Sequence, residues 1–317
     1  VNVVISLDYG GTAIKEGIVS ERGKLLCFGQ TPTGSTKFSQ VANKLAARIK
    51  ALQELAKERK NNAVACAIGS PGLISYDRKI IYTSPNFESR GDFNLYKALR
   101  ARKVNLPIFI ENDANVAALG EYWKGAGKGA RCLILLTLGT GIGGGVVVDG
   151  KLWLGAHGMG GELGHVTVDP RGAKCGCGNY GCLEALASAT AVVREFKKAI
   201  KSGEESGLAV SSEIGAKEIA EAARKGDVLA KEIFSKSGTY LGIALASMIN
   251  EFDPDVIVLG GGMSPAFDLL ESSMTRELNR RAFSKMVEKV KVIPAKLGNK
   301  AGIYGAAFLA FQKLSEV

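Results

Sequence analysis

No run of about 18 or more apolar residues occurs, so a membrane-spanning helix is not expected. The opening "VNVVISLDYGG" has neither the basic start nor the long apolar core of a secretory signal. That lack argues for the cytoplasm, where disulfides are rare. No G-x-x-x-x-G-K-[ST] occurs, which excludes a P-loop, and no C-x-x-C, which excludes the usual redox pair. Low-complexity tracts and short-period repeats are also missing. Histidine is scarce at two residues and cysteine at six, yet three of the six cysteines fall within "CGCGNYGC" (175–182).

What is present is an ordinary globular chain, 46% hydrophobic and 23% charged, with room in 317 residues for two domains or one large α/β domain. The net charge of +10 could suit a polyanion. Lys and Arg are interleaved with Glu, however, as in "ARIKALQELAKERK", which reads as a solvated surface; a basic rim for a phosphorylated cofactor is the other reading.

Strand-like runs ("VVISL", "EGIVS", "KLLCFG", "AVACAIG", "PIFIE", "CLILLTL", "GGVVV", "DVIVLGG", "VKVIPA") alternate with helical stretches. Val41, Leu45, Ile49, Leu52 and Leu55 recur at helical spacing, as do Leu241, Leu245, Met248, Ile249 and Phe252. These stripes predict core helices, and the class is α/β. "LDYGGTAIKEGIV" (7–19) and "LTLGTGIGGGVVV" (136–148) share a strand–glycine turn–strand layout, which suggests two related lobes. The expected division is 1–111 and 112–300, hinged near "LPIFIENDAN", with a final helix over about 301–317 returning to the first lobe.

Gly139, Gly141 and Gly144 satisfy G-x-G-x-x-G, but a strand follows where the dinucleotide fingerprint needs a helix. Such hairpin turns can still bind phosphate, because the backbone comes close and successive N–H groups converge on an anion. The first turn adds Asp8, Thr12 and Lys15: an acid for hydrated Mg²⁺, a hydroxyl donor and a cation. Either hairpin alone reads equally as a tight turn; two together suggest a clamp on a triphosphate. Gly260, Gly261 and Gly262, between a strand and a helix, could floor a nucleoside or phosphate pocket.

Asn112 and Asp113 stand where an apolar strand gives way to a helix. One reading is an N-cap. The other is a carboxylate at the carboxyl end of a strand, which could orient a substrate hydroxyl for phosphoryl transfer and take its proton late.

His165, Cys175, Cys177 and Cys182 can form a closed Cys₃His zinc site; buried or disulfide-linked thiols are the alternative. The C₂H₂ spacing of a DNA-reading finger is missing. Cys27, Cys66 and Cys132 read as core thiols, and His157 receives no role. Glu162 and Glu184 flank the loop and could accept hydrogen bonds from adjacent hydroxyls of a polyol.

Taken in order, "LDYGGTAIK", "GSPG" (69–72), "PNF" (85–87), "ENDANVAALGE", "LTLGTGIGGG", "GELGH", "CGCGNYGCLEA" and "VLGGG" resemble the ROK family of sugar kinases and repressors, within the actin-like/hexokinase superfamily. The resemblance covers nearly the whole chain. It implies two actin-like (ribonuclease H-like) lobes with an interlobe cleft that closes over ATP, Mg²⁺ and a hexose. It further implies Asp113 as catalytic base, and Asn112, Glu162, His165, Glu184, Gly72 and Asn86 as sugar contacts. Asp8, Gly10, Gly11, Thr12 and Lys15 match the first phosphate motif, and Thr137, Gly139, Thr140 and Gly141 the second. His165, Cys175, Cys177 and Cys182 match structural Zn²⁺ ligands. After "PNF" the family often continues Gly-Trp, where this chain has "ESRGDFNLYKAL".

The expected activity is ATP-dependent phosphorylation of a hexose at the 6-hydroxyl, glucose first. Fructose, mannose, allose, N-acetylglucosamine and N-acetylmannosamine are alternative acceptors, and polyphosphate an alternative donor. A sugar-responsive repressor is the other class, but its added DNA-binding domain has no expected place before a phosphate motif at residue 7. No nucleic-acid or membrane partner is expected, and the resemblance implies a homodimer or homotetramer.

Overall fold

The computed structural model describes residues 1–82, 87–88, 91–208 and 214–316. In chain order it contains β1 (Asn2–Tyr9), β2 (Ala13–Ser20), β3 (Leu25–Pro32), α1 (Phe38–Glu58), β4 (Asn62–Ser70), β5 (Ile80–Ile81), β6 (Phe93–Asn94) and α2 (Leu95–Ala101). There follow β7 (Ile108–Asn112), α3 (Asp113–Lys124), β8 (Cys132–Leu138), β9 (Ile142–Val148), β10 (Lys151–Leu152), α4 (Leu183–Ala187), α5 (Ala189–Lys201) and α6 (Ala216–Arg224). The chain ends with α7 (Val228–Phe252), β11 (Val256–Gly260), α8 (Phe267–Arg281), α9 (Ser284–Val287), β12 (Lys291–Pro294) and α10 (Ala301–Ser315).

Two five-stranded sheets have corresponding orders, β3-β2-β1-β4-β7 and β10-β9-β8-β11-β12. In the first, β2 and β3 run antiparallel, while β1, β4 and β7 are parallel. The second repeats the plan, with β8, β11 and β12 parallel and β9–β10 antiparallel. The echo between the two glycine hairpins is therefore an echo of whole sheets. β1 is buried along all but its first residue, as expected of a central strand covered on both faces.

The chain divides into two compact units, residues 1–130, 145–161 and 296–317, and residues 131–144 and 162–295. It thus passes between units after Ala130, not near the 106–115 stretch expected from the sequence. The cause is the packing of α3 along α10. An added Cβ at Gly120 would collide with the Ala301 carbonyl, and one at Gly305 with the Val116 carbonyl. Two facing glycines therefore let the helix backbones touch, and α3 stays with the first unit. Glu121, fully buried, accepts from the N–H groups of Ala126 (2.7 Å), Lys296 (3.1 Å) and Leu297 (2.8 Å), fastening the far end of α3.

The first core gathers Val3, Ile5, Leu7 and Ile14 of the sheet with the predicted stripe of α1. In the second unit α7 buries Leu241, Leu245, Met248 and Ile249 and packs along α8. Among the described residues no helix is long and apolar enough to cross a membrane.

Candidate active site

In the first unit the parallel strands β1, β4 and β7 bring their carboxyl ends together: Asp8 lies opposite Gly69, and Ser70 opposite Asn112. Ligands gather at this edge of an α/β sheet. Asp8 and Lys15 face each other across the β1–β2 ladder and form an ion pair of 2.9 Å. The hairpin tip is tied by Thr33, whose Oγ1 donates to Gly10 O (2.6 Å) and whose N–H donates to Thr12 O (2.9 Å). Gly11 and Thr12 stand exposed at that tip. A Cβ on Gly302 would lie 2.8 Å from the Asp8 carboxyl carbon, so α10 also backs this acid.

The sequence left open whether Asn112 or Asp113 caps α3. Asn112 does: its Oδ1 accepts from Ala114 N–H (2.9 Å) and Asn115 N–H (3.2 Å), and its Nδ2 donates to Gly72 O (3.2 Å). Asp113 is the first helical residue, part-buried, and its Oδ1 accepts from Ala114 N–H (2.9 Å). Desolvation, and then the like charge of Asp8, push its carboxyl up to about 6, against the opposing effects of Ala114 N–H and Lys15. Gly69 permits the approach, since a Cβ there would press on Val116 at 2.6 Å and touch Asp113 and Asp8.

In the second unit Thr137 lies near the end of β8, and Gly139, Thr140 and Gly141 form the β8–β9 turn. Thr137 Oγ1 accepts from Gly143 N–H (3.2 Å), Ala189 N–H donates to Gly139 O (2.9 Å), and Thr190 Oγ1 donates to Thr140 O (2.7 Å). Gly260 pairs with Thr137, and Met263 N–H donates to Leu138 O (2.9 Å), which sets the 260–262 loop beside the turn. Gly261 has φ +85°, and a Cβ there would meet the Leu138 backbone. A hollow of about 370 Å³ beside Thr140 is lined by Ala189, Thr190, Val193, Arg194, Gly215 and Ala216.

Glu184, in the first turn of α4, accepts from Ile142 N–H at 2.9 Å, filling the space a side chain at Gly141 would need. It thereby joins the glycine turn to the cysteine loop, whose Cys175 Sγ lies 3.7 Å from its other oxygen. His165 presents Nδ1 to Cys175 Sγ (3.6 Å) and Nε2 to Glu162 (4.0 Å). Burial raises the half-exposed Glu162, His165 opposes that, and Glu184 adds to it.

The four donor atoms of His165, Cys175, Cys177 and Cys182 lie within 4.8 Å of one another. Tetrahedral Zn²⁺ with Zn–S of about 2.3 Å and Zn–N of about 2.0–2.1 Å places its sulfurs about 3.8 Å apart and nitrogen about 3.6 Å from sulfur. The observed Cys177–Cys182 and His165–Cys175 separations are 3.7 and 3.6 Å, so the donor set fits such an ion. Cys27, Cys66 and Cys132 stand outside the cluster; burial pushes the Cys66 thiol up to about 12. Asn86 lies outside the described residues.

Sequence reasoning missed Thr33, Glu111 and Glu121. Thr33 acts across a long sequence separation. Glu121 gives no local signal, and Glu111 looks like the end of an apolar strand although it is an interior acid.

The ROK family model matches residues 4–313. The glucokinase of Halalkalibacterium halodurans is 36% identical, covering 98% of this chain and 95% of its own. A ROK hexokinase structure from Thermus thermophilus superposes with a TM-score of 0.82 at 34% identity, covering 99% and 100% of the two chains. A ROK family glucokinase from Streptomyces griseus, in complex with glucose and AMPPNP, gives a TM-score of 0.82 at 35% identity over 98% and 99%. The xylose repressor of Bacillus subtilis is 34% identical over 76% of this chain and 59% of its own. With the family pattern matched along almost the whole length and the α/β, actin-like architecture matched in solved structures, the chain belongs to the ROK family.

Proposed function

We propose that this ROK sugar kinase transfers the γ-phosphoryl group of ATP to the 6-hydroxyl of glucose, with Asp113 receiving the hydroxyl proton. The observation that carries the reading is the division of labour at the head of α3. Asn112 supplies the cap, so Asp113 is not required for it. A carboxyl near 6 is about nine-tenths ionised at pH 7, and it is a stronger base than an ordinary aspartate. Because phosphoryl transfer depends mainly on positioning and charge stabilisation, Asp113 orients the attacking oxygen and accepts its proton as the phosphate bond lengthens.

Asn112 keeps one Nδ2–H for a sugar hydroxyl. Glu162 is the less engaged acceptor of the second unit, while Glu184 has both oxygens near protein donors. The β8–β9 turn, the 260–262 loop and the hollow beside Thr140 would take the nucleotide, a reading supported by the AMPPNP bound to the Streptomyces griseus relative. Asp8 would hold the Mg²⁺ that neutralises phosphate charge. A structural Zn²⁺ on His165, Cys175, Cys177 and Cys182 would fix the imidazole, leaving Nε2 to the sugar side. We assign the sugar-side role also to Gly72 and Asn86, and the two-lobed arrangement to the ROK pattern.

Sugar binding without catalysis is the second reading, because a repressor is among the relatives. The phosphate-side residues Asp8, Gly10, Gly11, Thr12 and Lys15 favour the kinase. A coupled assay over a panel of hexoses, with ATP and then polyphosphate, tests both: glucose with ATP should give the highest kcat/KM. Absence of phosphoryl transfer to every hexose would overturn the kinase reading.

A further inference from the structure

We propose that Glu111, held by Arg78, is a positioning residue that fixes Asp113 through the main chain of Asn112. The inference rests on the reading of Asp113 as proton acceptor and extends it one layer inward. Glu111 is the residue of β7 next to the cap, and it is only 2% exposed. Its Oε1 accepts from Asn112 N–H (2.9 Å) and from Asn115 Nδ2 (3.1 Å), one turn into α3. A single buried carboxylate oxygen therefore ties the last peptide of the strand to the first turn of the helix that begins with Asp113.

An isolated buried carboxylate would be costly or would take up a proton. Arg78 supplies the compensation: its Nε lies 3.4 Å from Glu111 Oε2. Arg78 sits at φ +58°, a left-handed conformation uncommon for a side chain of this kind. The turn that imposes it is well tied. Arg78 N–H donates to Ser75 O (2.8 Å), and Ser75 Oγ accepts from Lys79 N–H (3.2 Å) and Ile80 N–H (2.9 Å). Arg78 and Glu111 also border a cavity of about 700 Å³ whose lining includes Tyr76, Tyr96 and Leu309. The arginine thus reaches the interior acid from a solvent-accessible side.

The groups facing Glu111 are Arg78 from this turn, Asn112 N–H and Asn115 from the strand–helix junction, and Lys313 from α10. Those facing Asp113 are Asp8 of β1, Ala114 N–H, its own N–H and Lys15 of β2. Loosening the junction hydrates Asp113, and hydration lowers a carboxyl that desolvation had raised. The acid limb of the pH–rate profile then moves to lower pH. Simple loss of folded protein would not move that limb.

The test compares Glu111→Gln, Arg78→Gln and the double variant in the full chain, using the best hexose of the panel. Glu111→Gln should lower kcat by about tenfold to a hundredfold, with the hexose KM within about threefold. Its acid limb should move below that of the wild type. Arg78→Gln should change in the same sense, and the double variant should be no worse than Glu111→Gln, since both act along one path. Wild-type kcat in both single variants, an unmoved acid limb, or additive losses would overturn the proposal. Should Glu111→Gln fail to fold, Arg78→Gln decides by the same kcat and pH readouts. Asp113→Asn, run in parallel, separates the two readings. Activity in that variant removes the proton acceptor and this proposal with it. An inactive Asp113→Asn beside fully active Glu111→Gln and Arg78→Gln removes this proposal alone.

Discussion

Replacing Asp113 by Asn should make the ligand-free protein more stable at neutral pH while it removes activity. The carboxyl is raised from 3.8 to about 6 in the folded chain, chiefly by desolvation and then by Asp8. At about 1.4 kcal/mol per pK unit, keeping it ionised in the folded state costs on the order of 3 kcal/mol at pH 7. The sign follows from the direction of the shift. A carboxyl raised on folding penalises the native state wherever the unfolded chain is ionised, so the penalty grows from about pH 4 and is complete above about pH 6. Asparagine carries no charge and avoids it. Chemical or thermal unfolding of both forms at pH 7 and pH 4 reads the difference, in which carboxylates remote from Asp113 cancel. Asp113→Asn should melt several degrees higher at pH 7 and together with the wild type near pH 4. Equal melting at pH 7, or a gain that persists at pH 4, would refute the account of Asp113 as a desolvated, ionised acid.

The same variant should retain hexose binding by calorimetry but lose nearly all turnover; normal kcat would remove the proposed role. In the wild type, kcat/KM should fall about tenfold per pH unit below about 6, as the single acceptor protonates. Cys177→Ser should lose zinc by elemental analysis and raise the hexose KM, if His165 holds the proposed ion and faces the sugar as assigned above. Fully active wild-type protein free of zinc would contradict this. Gly305→Ala should cost about 1–3 kcal/mol in urea unfolding, because the new methyl group meets the Val116 carbonyl and α3 cannot stay in contact with α10.

Much of this was legible in the amino-acid order. Alternation and apolar runs located the long strands, and the stripe from Val41 to Leu52 located α1 with its buried face. The two-residue strands β5, β6 and β10 escaped, since a period needs more than one repeat to be visible. The cysteine loop could be read because its donors are close in sequence. Asn112 and Asp113 were ambiguous because both are good capping residues, and only hydrogen-bond geometry separates them. The place where the chain changes unit was not readable. It depends on Gly120 and Gly305 meeting across two helices, and on Glu121 holding the backbone at 296–297. Glu111 was hidden for a similar reason: its partners Arg78 and Asn115 come from a distant turn and the next helix.

The helix α3 carries an acid at each end, Asp113 at the first residue and Glu121 near the last. Twelve residues of α-helix make a rod of about 18 Å. Such a rod transmits displacement with little loss, so a disturbance at its anchored foot reappears at its working tip. Changes around Gly120 or Leu297 should therefore act on turnover like changes beside the substrate, though neither residue belongs to the proposed sugar or phosphate contacts. In a search for activating or inactivating variants, the foot of this rod should therefore be sampled together with the proposed sugar site.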